Sequence, residues 1–137
     1  GTPRYMAPEC FVGSAAIGPR SDVYALGRVA YFLTCGRDVF ANQDNAALAV
    51  AHLTLAPPSM RDAQGQPVAP ALERIVQRCL AKSPDERFAS MRQLMAALER
   101  AELPTWTQSE AAACWEKLAE AGEKGSGDAP LLQNLRA

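Results

Sequence analysis

The amino-acid sequence predicts an all-α protein. Three observations carry this expectation. Apolar residues recur at i, i+3, i+4 and i+7 in three separate segments, the repeat of one helix face. No alternation of apolar and polar residues is long enough for a half-buried strand. Helix-start residues (Ser, Thr, Asp, Pro) precede the periodic segments, and Gly or Pro follows them.

Residues 1–20 are rich in Gly and Pro and read as loop, with a short turn of helix at 7–11. Ser21 offers an N-cap, and Asp22 puts an anion in the first turn, where the helix dipole favours it. From there to Cys35 nearly every face is apolar, so this helix belongs in the middle of a domain; Gly36 ends it. An Ala-rich second helix is expected over 42–53, capped by Asn42 or Asp44. Four prolines and Gly65 make 54–70 a loop, and Pro70 suits the first turn of the next helix. There Leu72, Ile75, Val76, Cys79 and Leu80 form one apolar face. Ser83-Pro84 breaks that helix, and Met91, Leu94, Met95 and Leu98 define a fourth. After Pro104, Thr107 and Glu110 form a capping-box pattern. Ala111, Cys114, Trp115 and Leu118 give the fifth helix its apolar face, with Gly122 as its C-terminal cap and 122–137 as a flexible tail.

With 137 residues, 48% hydrophobic and 21% charged, the sequence is one ordinary soluble domain or a piece of a larger one. A net charge of −1 argues against nucleic-acid binding and against a polybasic membrane surface. The longest apolar stretch, 23–33, is broken by Gly27 and Arg28 and falls short of the roughly 18 residues a membrane span needs. Cys10, Cys35, Cys79 and Cys114 lack metal-ligand spacing and the only histidine is His52, so no metal site is expected. The cysteines read as reduced core residues, which suggests the cytoplasm. A sequence that opens on Gly-Thr-Pro-Arg-Tyr is expected to carry no signal peptide and to derive from a longer protein.

Gly1-Thr2-Pro3-Arg4-Tyr5-Met6-Ala7-Pro8-Glu9 resembles the end of the activation segment of eukaryotic-type Ser/Thr protein kinases, in a bacterial style. Two further motifs follow in that family's order. Ser21-Asp22-Val23-Tyr24-Ala25-Leu26-Gly27 is similar to the start of the central helix of the kinase C-lobe. Ser83-Pro84-Asp85-Glu86-Arg87-Phe88 is similar to an element near the end of the kinase fold. The resemblance covers roughly residues 1–100. It implies a partial C-lobe over 1–103, a helical extension over 104–121 and the tail beyond. The stretch 104–118, with Trp106 and Trp115, is reminiscent of segments that follow the kinase domain in some bacterial members.

A complete kinase also needs a Gly-rich loop, a strand lysine, His-Arg-Asp and Asp-Phe-Gly. His52 is followed by Leu-Thr, Asp-Phe-Gly does not occur, and no lysine precedes Lys82. Phosphoryl transfer works by holding nucleotide, metal and hydroxyl in line, so this stretch is expected to hold no catalytic residue and no cofactor, and to be inactive alone. Mg-ATP and protein substrates are expected of the complete kinase.

The resemblance assigns the remaining roles. Thr2, Pro3 and Tyr5 fall in the substrate-binding loop, and the Thr-Pro pair there points to Ser/Thr substrates. Glu9 and Arg87 match a buried ion pair that fastens the activation segment to the C-lobe; arginine suits it because its planar fork meets a carboxylate with two bonds. Asp22 matches an aspartate that accepts hydrogen bonds from the catalytic loop, and Gly27 belongs to the same helix motif. Val29 and Leu33 match apolar positions on which the kinase spines rest. Arg28 stands where a small apolar residue is usual and must reach an edge or a partner. Phe32 replaces an acidic residue of kinases that prefer basic peptides. His52 is expected to be solvated at a helix C-terminus, which suits its charge. The alternative to a kinase fragment is a catalytically dead remnant that acts as a protein-binding module. An in-frame His-Arg-Asp and Asp-Phe-Gly encoded before Gly1 separates the two.

Overall fold

The computed structural model describes residues 6–13, 17–40, 44–103 and 107–124, the last seven by backbone alone. The helices are α1 (Pro8–Phe11), α2 (Pro19–Cys35), α3 (Asn45–Thr54), α4 (Pro70–Cys79), α5 (Met91–Glu99) and α6 (Gln108–Lys124). Among the described residues a 3₁₀ turn, Pro84–Glu86, precedes α5. The described residues contain no strand, only an isolated bridge between Arg61 and Pro67. The chain divides into two compact units, Gly1–Leu103 and Pro104–Ala137.

Local chemistry sets the helix ends, in places otherwise than expected. α2 starts two residues before Ser21, because Pro19 occupies its first turn, where a missing N–H costs nothing. Ser21 is therefore not the N-cap; from inside the first turn its hydroxyl accepts the N–H of Gly18 at 3.2 Å. At the other end Gly36 adopts a left-handed φ of 65° and returns its N–H to the Phe32 carbonyl at 2.8 Å. Asp44 caps α3 by accepting the Ala47 N–H at 2.7 Å, whereas Asn42 lies outside the described residues. Ser90 caps α5 in the same way through Gln93. The Thr107–Glu110 box closes in both directions. Thr107 N donates to Glu110 at 2.8 Å, and Glu110 N donates to Thr107 at 3.3 Å. Gly122 does not end α6, which continues to Lys124; residues 125–137 of the expected tail lie outside the described residues.

Within Gly1–Leu103, α2 runs through two packed clusters. Tyr24, Tyr31 and Cys35 join Phe40, Leu48, Met60 and Leu80, while Val23 joins Cys79, Phe88 and Leu94. α2 meets α4 at Gly27, where a Cβ would stand 2.5 Å from the Cβ of Cys79. Only glycine permits that approach, although glycine costs a helix interior about 0.5–1 kcal/mol. The rest of α2 departs from the expectation of a helix buried on every face. Leu26, Val29 and Leu33, spaced i, i+3 and i+7, are exposed, Leu33 by 76%. The elements of this unit cover the other faces of α2 and leave this stripe open. On α6, Trp115 is 72% exposed.

Candidate functional site

The site is a clamp built on Arg87. The 3₁₀ turn ends at Glu86, so Arg87 leaves the turn extended and its side chain runs inward to 1% exposure. A buried guanidinium needs acceptors for five N–H groups, and it has five. Nη1 and Nη2 each donate to a Glu9 carboxylate oxygen at 2.8 Å. The other three bonds go to the carbonyls of Ala81 (2.8 Å), Arg20 (3.0 Å) and Lys82 (3.0 Å). The guanidinium also lies 4.8 Å from the Tyr24 ring centre. One side chain thus ties together α1, the start of α2 and the turn after α4.

Glu9 is placed by Pro8, which opens the four-residue α1 and needs no donor there. The carboxylate is 5% exposed and receives a third bond from the Ser21 hydroxyl at 2.6 Å. Burial alone would push its pKa up. The hydrogen bonds from Arg87 and Ser21, with the attraction of the Arg87 charge, outweigh burial and hold it below the ordinary carboxylate value. The remaining residues singled out in the sequence are more dispersed. Asp22 stands in the first turn of α2 with its side chain exposed, and Gly27 sits against Cys79 on α4. Thr2, Pro3 and Tyr5 lie outside the described residues. All four cysteines are free.

A second buried polar cluster was not foreseen. His52 is fully buried, not solvated. Phe11 stacks on it and the Phe40 ring meets it edge-on. Arg28 Nη1 bonds its Nε2, and the Tyr24 hydroxyl lies 2.8 Å from its Nδ1. Arginine only donates, so Nε2 must carry the lone pair and the neutral ring its proton on Nδ1, pointed at Tyr24. Burial, then the charges of Arg28 and Lys82, push the His52 pKa down to about 3. Burial likewise raises Tyr24 to about 12, against the pull of the two arginines. Arg28 finds its partner on the inside: it also approaches Asp38 at 3.4 Å. Lys82 completes the group, bonding the Ala51 carbonyl at 3.3 Å above the Phe40 ring, and burial and the neighbouring arginines bring its pKa down to about 8. The available signal was positional. Leu48, Ala51 and His52 share one face of α3 at i, i+3 and i+4, so His52 follows Leu48 inward.

The protein kinase domain description matches residues 1–98. The chain belongs to the protein kinase family. Bacterial Ser/Thr kinases are among its relatives in that family. It is 45% identical over 99 residues to serine/threonine-protein kinase Pkn1 of Myxococcus xanthus, 72% of this chain and 14% of that protein. Serine/threonine-protein kinase pkn3 of the same organism is 39% identical over 100 residues, 72% of this chain and 18% of that one. Serine/threonine-protein kinase PknB of Mycolicibacterium smegmatis is 37% identical over 102 residues, 73% and 16% respectively. The chain therefore spans under a fifth of the length of these kinases, and the matched protein kinase domain, residues 1–98, contains both Glu9 and Arg87.

No cluster of three His, Cys, Asp or Glu among the described residues could hold a metal ion. The buried charged groups are turned on one another: Arg87 on Glu9, Arg28 on His52 and Asp38. No helix among the described residues is long and apolar enough to cross a membrane.

Proposed function

We propose that this chain forms the lower part of the catalytic domain of an enzyme that transfers phosphate from ATP to Ser or Thr of proteins, and that these 137 residues alone do not carry out the transfer. The Glu9–Arg87 clamp is the observation that carries the reading. In-line transfer depends on holding the acceptor hydroxyl in place to a fraction of an ångström. Residues 1–9 resemble the loop that holds it, and Glu9 ends that loop. Fastening Glu9 by two charge-assisted bonds to a buried, fully satisfied arginine gives the loop a fixed anchor on the helical body. In this reading Thr2, Pro3 and Tyr5 face the substrate, Asp22 supports the catalytic loop of the complete enzyme, and this part of the chain works in the cytoplasm, in keeping with its four free cysteines.

The test has two arms. The 137-residue chain is titrated with Mg-ATP by calorimetry and assayed for radiolabel transfer to a generic protein; neither micromolar binding nor transfer is expected. The product of the full reading frame is then assayed with and without Glu9→Gln. Transfer by the short chain, or full activity of the Glu9→Gln enzyme, refutes the reading.

A further inference from the structure

A groove between α4 and α5 lies apart from the clamp. α4 carries Arg74 and Arg78 one turn apart on the same face, and Arg100 stands at the C-terminal end of α5. The three line a groove of about 310 Å³ with Ile75, Phe88 and Ala97. All three arginines are exposed, and no carboxylate is among the described residues that line the groove. Arg78 is held in place: its Nε donates to the Glu86 carbonyl at 3.3 Å, and its guanidinium lies 4.2 Å from the Phe88 ring centre. Its Nη groups have no acceptor among the described residues, and neither Arg74 nor Arg100 has an acidic partner there.

This arrangement has a cost and a chemistry. Like charges one helical turn apart repel, and nothing within the groove offsets them. In a chain of net charge −1, three uncompensated guanidinium groups concentrate a local positive field. Guanidinium forks match the oxygens of a phosphoryl group, which carries nearly two negative charges and three strong acceptors. The apolar wall of Ile75 and Ala97 suits a side chain next to that group, which a free ion would not supply. A nucleic-acid strand would want an open aromatic face for stacking, but Arg78 covers the Phe88 ring.

We propose that the α4–α5 groove binds a phosphorylated peptide, with its phosphoryl group on Arg74, Arg78 and Arg100 and a neighbouring apolar side chain against Ile75 and Ala97. The choice of a phosphopeptide rests on the kinase reading, since phosphoserine and phosphothreonine proteins are what such an enzyme makes. The groove would keep a product, or another phosphorylated protein, at a distance from the reacting hydroxyl.

Fluorescence polarisation with the 137-residue chain tests this, using a labelled nonapeptide with one phosphothreonine beside a leucine. The phosphopeptide is expected to bind about tenfold or more tightly than its unphosphorylated twin, and to weaken at about 0.3 M salt. Arg74→Gln with Arg100→Gln should remove that difference while the melting curve stays unchanged. Should that double variant fail to fold, Arg74→Lys keeps the charge, loses the fork and is expected to bind at intermediate strength. Equal binding of the two peptides, or full binding by the folded Gln variant, overturns the proposal. So does inorganic phosphate that displaces the peptide at the peptide's own concentration range, or an oligonucleotide of similar charge that binds as tightly. The assay contains no ATP and reads no transfer, so its failure leaves the kinase reading standing, and loss of transfer in the complete enzyme leaves the binding result standing.

Discussion

Removing Arg87 should do more damage than any other single truncation in this chain. Arg87→Ala leaves the Glu9 carboxylate buried with the Ser21 hydroxyl as its remaining side-chain donor among the described residues. It also removes one donor from each of three partly buried carbonyls, those of Arg20, Ala81 and Lys82. Stranding one member of a buried ion pair costs about 3–5 kcal/mol, and the lost bonds to the partly buried carbonyls add about 1 kcal/mol. A domain holds roughly 5–15 kcal/mol in total, so this variant is expected to be largely unfolded. Glu9→Gln preserves shape and one acceptor oxygen and leaves Arg87 with its three carbonyls, so its loss should sit near the lower end, about 3 kcal/mol. Replacing both, as Glu9→Gln with Arg87→Met, should cost less than the sum by about 0.5–3 kcal/mol, because contacting residues are not additive. Urea unfolding of the four proteins, read as midpoint and slope, measures the coupling. The pH dependence supplies an independent check. The Glu9 pKa is lower folded than unfolded, so its contribution is present above the unfolded value of 4.5 and is lost as pH falls through the folded one. The difference between wild type and Glu9→Gln should therefore shrink below about pH 4. Strictly additive losses, or single losses under about 0.5 kcal/mol as at ordinary surface sites, would refute the clamp.

Three further outcomes are expected. His52 has a folded pKa of about 3 against 6.5, so its neutral form is favoured in the folded chain, and stability falls with pH below 6.5. Between 6.5 and about 5 the slope should approach 1.4 kcal/mol per pH unit, and His52→Gln should flatten it in thermal melts run across that range; an unchanged slope contradicts the buried, neutral histidine. Gly27→Ala should cost about 1–3 kcal/mol through overpacking, and since the obstructing atom is the Cys79 Cβ, Cys79→Gly should relieve it whereas Cys79→Ala should not. The open stripe of Leu26, Val29 and Leu33 should make the isolated chain self-associate in light scattering after size exclusion, and Leu26→Glu with Leu33→Glu should restore a monomer; an already monomeric wild type contradicts this.

What was legible in the sequence follows the range of the forces involved. Helix faces are written locally, and α4 and α5 lie where the apolar spacing of Leu72–Leu80 and Met91–Leu98 puts them. Helix ends are decided by small competing terms, which is why two of them moved. Pro19 with its preset φ outranked Ser21 as the start of α2, and a mid-helix glycine costs only about 1 kcal/mol, too little to stop α6 at Gly122. The burial of polar side chains is not local at all. Glu9 and Arg87 stand 78 positions apart, and neither has a neighbour in sequence that signals a partner; only the resemblance to kinases joined them. His52 lay outside the quoted motifs, and the rule that a histidine at a helix C-terminus is solvated there with its charge placed it at the surface, while Arg28 was expected only to reach an edge or a partner. The structure inverts that rule by closing a circuit: Arg28 needs a lone pair, His52 supplies it by staying neutral, and its remaining proton goes to Tyr24. Each member is admissible in the core only because the other two are there, so the cluster could not be read one residue at a time. The same interdependence explains why it sits beside the clamp. Tyr24 lies against the Arg87 guanidinium on one side and against His52 on the other, so a single side chain of α2 touches both buried charge systems. Loosening either should therefore be felt by the other through Tyr24, and α2 is held to α1 and α3 by polar contacts that a purely apolar core would not specify.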